Sequence, residues 1–318
     1  MAARTLQHLV VEPCYGLCNR LRVIAAAKRL SALSGARCTI VWNWPDYESL
    51  FEPDPLIQIV SRFPALPAGH LRLEPLLDRR ATLHQRLPLD GPACIAISTC
   101  HPFGSTTDPH YLGMRELLPW LPQPQAAIRE KARQFRERMF PACRIVGLHI
   151  RRTDSQQPIL DSPNWRFFHQ ARAIVESGAW IYLATDNRRT ESQMTARFAD
   201  RLLMYPKNPA MKKRWPRTLN LAETIEDYVD LLVLASCDYV LGSNKSSFSD
   251  LAMALNGSIR SIEIERLPIG RLVGDERRQR LLDEFARLPI YLNRIRGAVQ
   301  PGIGIGRAAR KLLRILRR

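Results

Sequence analysis

Val146-Gly147-Leu148-His149-Ile150-Arg151-Arg152-Thr153-Asp154 is the stretch from which the fold can be read. A short apolar run over residues 145–150 ends in a dense polar cluster. Strand alternation sets His149 and Arg151 on one face and Arg152 on the other. In open α/β sheets, ligands sit beyond the carboxyl ends of the strands. Two adjacent guanidiniums at such an end call for an anion, and the planar fork of arginine suits phosphate oxygens. The cluster therefore points to a di- or triphosphate site. The plainer reading is a pair of arginines in structural salt bridges.

Outward from this stretch, apolar runs alternate with helical patterns, the signature of an α/β fold. In the first half, strands are expected at residues 6–12, 38–42 and 94–99. A glycine turn at residues 14–20 leads into a helix over 20–34, on which Leu21, Ile24, Lys28 and their neighbours form one mainly apolar face. Gly35 supplies a stop. Residues 52–75 are rich in proline and read as irregular. In the second half, strands are expected at 144–150, 180–184, 202–205, 239–241 and 259–264. Helices are expected between them at 165–177, 191–201, 222–236 and 248–255. Three prolines within residues 119–124 precede a charged helix at 126–139, where the chain changes character. The expected organisation is an N-terminal α/β half over 1–140, a second α/β half over 141–265, and a helical extension over 266–318.

A length of 318 residues suits two ordinary domains or one large one, and 46% hydrophobic residues supply a packed core. With 47 Lys+Arg against 30 Asp+Glu, the formal charge of +17 favours polyanionic partners: nucleic acid, phosphorylated sugars or an anionic membrane surface. No secretory signal or membrane-spanning run is visible, so a cytoplasmic setting is expected. The seven cysteines are scattered and contain no CxxC pair; they read as reduced thiols, and no metal site is expected. The tail over 302–318 ends in a run in which Leu312, Leu313, Ile315 and Leu316 can share a helical face opposite cations. Such a helix fits an anionic membrane surface, here the inner membrane face. It equally fits a docked or frayed C-terminus.

Three polar clusters follow the strand-end logic in the second half. Arg151, Arg152 and Asp154 end one strand, and Asp186 and Asn187 end the next. Ser246, Ser247 and Ser249 open a helix after a third, where backbone N–H groups and hydroxyls attract phosphate. Simple capping by Ser246 or Ser247 would look the same. Asp186 is placed to accept hydrogen bonds from a base or ribose, or to cap the following helix. Near the N-terminus, Gly16-Leu17-Cys18-Asn19-Arg20 is neither a GxGxxG fingerprint nor a Walker loop. Asn19 and Arg20 are candidates to line a cleft, or else serve the turn itself.

His149-Ile150-Arg151-Arg152-Thr153-Asp154, then Leu183-Ala184-Thr185-Asp186-Asn187, then Cys237-Asp238-Tyr239-Val240-Leu241-Gly242 leading into Ser246-Ser247-Phe248-Ser249 resemble, in order and spacing, the three motifs of the α1,2/α1,6/protein O-fucosyltransferase superfamily. The first is most similar to the α1,6-fucosyltransferase form, which includes the bacterial nodulation enzymes. Tyr15-Gly16-Leu17-Cys18-Asn19-Arg20 is similar to the family's N-terminal glycine–asparagine motif. The likeness covers roughly residues 144–257 and that loop. It implies a GT-B fold, two Rossmann-like domains facing across a cleft. It also implies an inverting, metal-independent transferase that uses a GDP-sugar, usually GDP-fucose, as substrate and needs no cofactor. By position, Arg151 would bind the β-phosphate and stabilise the charge developing on departing GDP. Arg152 and Asp154 would support the loop and the donor. His149 and Asp186 would contact the nucleoside, Ser246, Ser247 and Phe248 would hold phosphate and sugar, and Asn19 would face the donor from the other domain.

One position departs from the pattern. Several α1,6 enzymes carry a glutamate five residues beyond the motif's aspartate, in the role of base; here that residue is Ile159. Asp154 and Asp161 are the candidates left for that role. The expected function is transfer of fucose from a GDP donor to a glycan, in the setting where lipid-linked glycans are built. The rival readings are a GT-B transferase with another nucleotide-sugar donor, a relative that binds without turnover, and a basic nucleic-acid-binding protein. No helix-turn-helix, RRM or OB signature supports the last.

Overall fold

A computed structural model of the chain describes residues 6–44, 46–73, 86–87, 93–105, 113–152, 156–207 and 220–268, with single positions at 277, 280, 281 and 283. Asp154 and the tail over 302–318 lie outside the described residues. In chain order the elements are β1 (His8–Pro13), α1 (Leu17–Ser34), β2 (Arg37–Val41), β3 (Gln58–Val60), β4 (Leu71–Leu73), β5 (Arg86–Leu87), β6 (Cys94–Thr99), β7 (Gly104–Ser105), α2 (Met114–Leu117) and α3 (Ala126–Met139). There follow β8 (Ile145–Ile150), α4 (Gln156–Asp161), α5 (Asn164–Glu176), β9 (Trp180–Thr185), α6 (Arg188–Phe198), β10 (Leu202–Leu203), α7 (Leu221–Ala235), β11 (Tyr239–Gly242), α8 (Ser247–Asn256) and β12 (Ile262–Glu263). No helix among the described residues is long and apolar enough to cross a membrane.

Two five-stranded sheets, each with wholly parallel pairing, form the two centres of the molecule. The first runs β3-β2-β1-β6-β4 and the second β10-β9-β8-β11-β12. Parallel strands covered by helices on both faces are buried along their whole length and mainly apolar. All six residues of β6 and all six of β8 are buried accordingly. Helix α1 covers the first sheet and ends at Gly35, whose φ of +70° lets its N–H turn back onto the Ser31 carbonyl. Lys28, on the buried side of α1, is matched by Asp54 at 2.5 Å. The second sheet packs on α5 through Phe167, Phe168, Ala171 and Ile174 and on α6 through Met194.

The compact units do not follow a single cut in the sequence. One comprises residues 1–139, 205–236 and 250–257; the other comprises 140–204, 237–249 and 258–318. Helix α7 belongs to the first unit because its apolar face has a partner there: Tyr228 lies 5.9 Å from Phe51, ring to ring.

Several elements differ from the sequence expectation. The proline-rich stretch 52–75 contributes the short strands β3 and β4, held by main-chain pairing that side-chain pattern does not reveal. Helix α4 was not foreseen. The strand expected over 259–264 shrinks to Ile262–Glu263, since Ile259 is 92% exposed and makes no use of its apolar side chain.

Candidate donor-binding site

The second sheet reverses its winding between β8 and β11. Chain order proceeds outward from β8 through β9 to β10, then resumes on the other side. Such a reversal opens a crevice at the carboxyl ends of the two central strands. The register fills it. Pairing of Ile150 with Thr185 places the next residues, Arg151 and Asp186, side by side, and pairing of His149 with Gly242 brings the start of α8 against β8.

Asp186 is used on both oxygens. Oδ1 accepts the Arg152 backbone N–H at 2.8 Å, and Oδ2 lies 3.1 Å from Arg151 Nε. Its side chain is only 7% exposed, so the pair is screened little by solvent. Capping of α6 falls instead to Asn187, whose Oδ1 accepts from Thr190 N–H. The Arg152 guanidinium donates to three protein oxygens: Asn164 Oδ1 from Nε, the Arg151 carbonyl from Nη1 and the Ser162 carbonyl from Nη2, each at 2.5 Å. It also lies over the Phe167 ring. Arg152 therefore buttresses the loop after β8, while Arg151 is oriented by Asp186 at the sheet edge.

His149 is buried, with Nδ1 2.6 Å from Ser249 Oγ and its ring stacked on Phe248 at 4.6 Å between centroids. Gly242 makes this possible. A Cβ there would stand 2.6 Å from Ser249 Cβ, so only glycine allows α8 to approach closely enough. Ser243, fully buried, accepts the Arg151 N–H and donates to the His149 carbonyl. Ser246 and Ser247 flank the first turn of the ten-residue α8, where backbone N–H groups and the helix dipole favour an anion. Asp161 ends α4, and its Oδ2 accepts from Asn244 Nδ2 at 3.3 Å.

Among the residues expected from sequence, His149, Arg151, Arg152, Asp161, Asp186, Ser246, Ser247 and Phe248 thus gather at one edge of one sheet. Asn19 lies in the first unit, in the opening turn of α1, where its Oδ1 accepts from Arg22 Nη2 at 2.6 Å. Asp154 lies outside the described residues. Sequence reasoning assigned no role to Gly242, Ser243, Ser162, Asn164, Asn244 or Glu265. Gly242 and Ser243 carried a signal, standing directly at a strand end; the others became visible only through their partners. Among the described residues, no group of three or more His, Cys, Asp or Glu side chains is disposed to hold a metal ion.

No family model and no curated protein sequence matches the chain. Solved structures do. NodZ alpha-1,6-fucosyltransferase soaked with GDP-fucose superposes with a TM-score of 0.53 at 16% identity, over 78% of this chain and 92% of that one. Fucosyltransferase NodZ from Bradyrhizobium gives 0.54 at 16% identity over the same shares. A variant of Arabidopsis thaliana FUT1 in complex with GDP gives 0.53 at 10% identity, over 79% of this chain and 69% of that one. At such identities the likeness is one of fold. The two parallel sheets with interleaved helices are the GT-B type of α/β architecture.

Proposed function

We propose that this chain is an inverting glycosyltransferase that moves a sugar, with fucose as the first candidate, from a GDP donor to a glycan acceptor without a metal ion. One observation carries the reading. Arg151, Asp186, His149 and the serine-lined start of α8 converge on the crevice between β8 and β11. They do so in a fold shared with a NodZ structure soaked with GDP-fucose.

In this reading the pyrophosphate lies at the N-terminus of α8, with Ser246 and Ser247 donating to its oxygens. Arg151, its fork aimed by Asp186, meets the β-phosphate. As the bond from the anomeric carbon to the phosphate oxygen breaks, charge accumulates on departing GDP. A preorganised guanidinium and a helix terminus stabilise that charge more than the ground state, which is the source of rate enhancement. Arg152 holds the loop in place. The stacked His149–Phe248 pair lines the donor pocket. Asp161 accepts the proton of the attacking hydroxyl, or Asp154 does. A lipid-linked glycan at an anionic membrane surface, met through 302–318, is the acceptor setting that the basic tail favours.

The test is GDP release from GDP-fucose in the presence of glycan extracts, beside Arg151→Ala. Turnover that disappears in the variant is expected. Absence of both turnover and GDP binding by calorimetry would remove the proposal, whereas GDP binding with no release from GDP-fucose would redirect it to another GDP-sugar.

A further inference from the structure

Three loops meet behind the crevice, and one buried hydroxyl joins them. Ser162, fully buried between α4 and α5, accepts the Asn244 backbone N–H on Oγ at 2.8 Å and donates the same hydroxyl to Glu265 Oε2 at 3.0 Å. Its carbonyl receives the Arg152 guanidinium. Asn244 opens the turn from β11 to α8, in which Lys245 adopts a φ of +54°. Non-glycine residues rarely hold that conformation unless their surroundings impose it. Glu265 lies in a short helical turn after β12, Ile264–Arg266, whose main chain is fastened by Arg166 Nη1 on the carbonyls of Glu265 and Leu267.

We propose that Glu265 is a positioning residue of the donor site: through Ser162 it holds the turn over 243–246, and with it the start of α8, beside Arg151 and Arg152. The consequence for GDP binding rests on the function proposed above; the positioning itself does not. A hydroxyl has one proton, so a fixed acceptor decides where its lone pairs point. With the proton directed to Glu265, a lone pair of Ser162 faces Asn244 N–H and the turn is pinned. The carboxyl is kept at a cost. Its Oε1 is buried with no hydrogen-bond partner among the described residues. Burial, first, and then the nearby Glu263 and Asp161 raise its pKa, against the opposing hydrogen bonds from its own backbone N–H and from Ser162. Such a group adds little to stability, which separates a positioning role from a merely structural one.

Four proteins decide the matter: wild type, Glu265→Gln, which keeps an acceptor for Ser162, Glu265→Met, which does not, and Ser162→Ala. Amide hydrogen exchange at Asn244 is expected to quicken at least tenfold in Glu265→Met and Ser162→Ala and to stay within threefold of wild type in Glu265→Gln. GDP affinity follows the same order, with the Tm of Glu265→Met unchanged or raised. Wild-type exchange in Glu265→Met overturns the proposal, as does equal loss in Gln and Met variants, which would make the charge and not the acceptor the cause. If Glu265→Met fails to fold, quickened exchange in Ser162→Ala beside near-wild-type exchange in Glu265→Gln decides in its place, and wild-type exchange in Ser162→Ala overturns the proposal. A wild type that binds no GDP ends the functional reading, while exchange at Asn244 still decides the positioning.

Discussion

Arg151 and Arg152 are neighbours with different work. Arg152 is committed to carbonyl and amide oxygens of its own unit, and Arg151 is aimed by a buried carboxylate. A fork held in that way is not replaced by a point charge. Arg151→Lys is therefore expected to lose about tenfold or more in GDP affinity, most of the loss seen with alanine, given that a charge-assisted hydrogen bond contributes about 1.5–3 kcal/mol. Recovery to within threefold by calorimetry would mean that charge alone suffices. A second prediction concerns the first sheet. Burial, reinforced by Glu12, pushes the Cys14 thiol up to about 11. Cys38, buried more deeply, is pushed up to about 12. A thiol whose folded pKa is raised contributes stability fully below its unfolded value, near 9, and that contribution is lost as pH rises through the folded value. Arg20 is shifted in the other direction, since burial lowers it to about 10. Urea unfolding should show stability declining from pH 9 to 10. At pH 8, Cys14 should react with a thiol reagent far more slowly than the exposed Cys143. Equal rates at the two cysteines would contradict the assignment.

Among the elements, the approach of α8 to β11 matters most for the site. Gly242 permits it, Ser249 uses it to reach His149, and Phe248 closes over the ring. Gly242→Ala forces the helix outward. Overpacking of this kind costs about 1–3 kcal/mol. Chemical denaturation should report a loss in that range, accompanied by weaker GDP binding because the serine-lined helix start moves with it. A variant as stable as wild type and equally tight for GDP would show that the contact yields freely. The turn before α8 belongs to the same device: Lys245 adopts a positive φ there, and its neighbour Asn244 is bonded to Ser162 from outside the turn.

At the scale of the molecule, the order of the chain and the order of packing diverge. Helix α7 lies between β10 and β11 of the second sheet in sequence but belongs to the unit built on the first. It brings Tyr228 to Phe51, while Tyr205, just after β10, meets Phe135 of α3 at 5.3 Å. A fragment of residues 1–139 thus leaves an apolar face of α1 and α3 uncovered. Expressed alone, it is expected to melt without a cooperative transition and to bind a hydrophobic dye. A sharp transition by circular dichroism would show that the first unit needs nothing from the second half of the sequence.

Much of this protein is legible in one dimension because parallel α/β folding writes itself locally. Residues 145–150 read as a strand since Ile145, Val146, Leu148 and Ile150 make a short aliphatic run, Gly35 reads as a stop since it tolerates positive φ, and three polar clusters stand where strands run out. Those features depend on near neighbours alone. The tertiary structure decided what depends on partners far along the chain: that Asp186 aims Arg151 rather than capping α6, that Ser249, admitted by Gly242, reaches His149, that Ser162 and Glu265 hold the turn before α8, and that α7 packs with the first sheet. A hydrogen bond or a packed ring between residues some hundred positions apart leaves no periodicity in either segment, so its information exists only once the chain has folded.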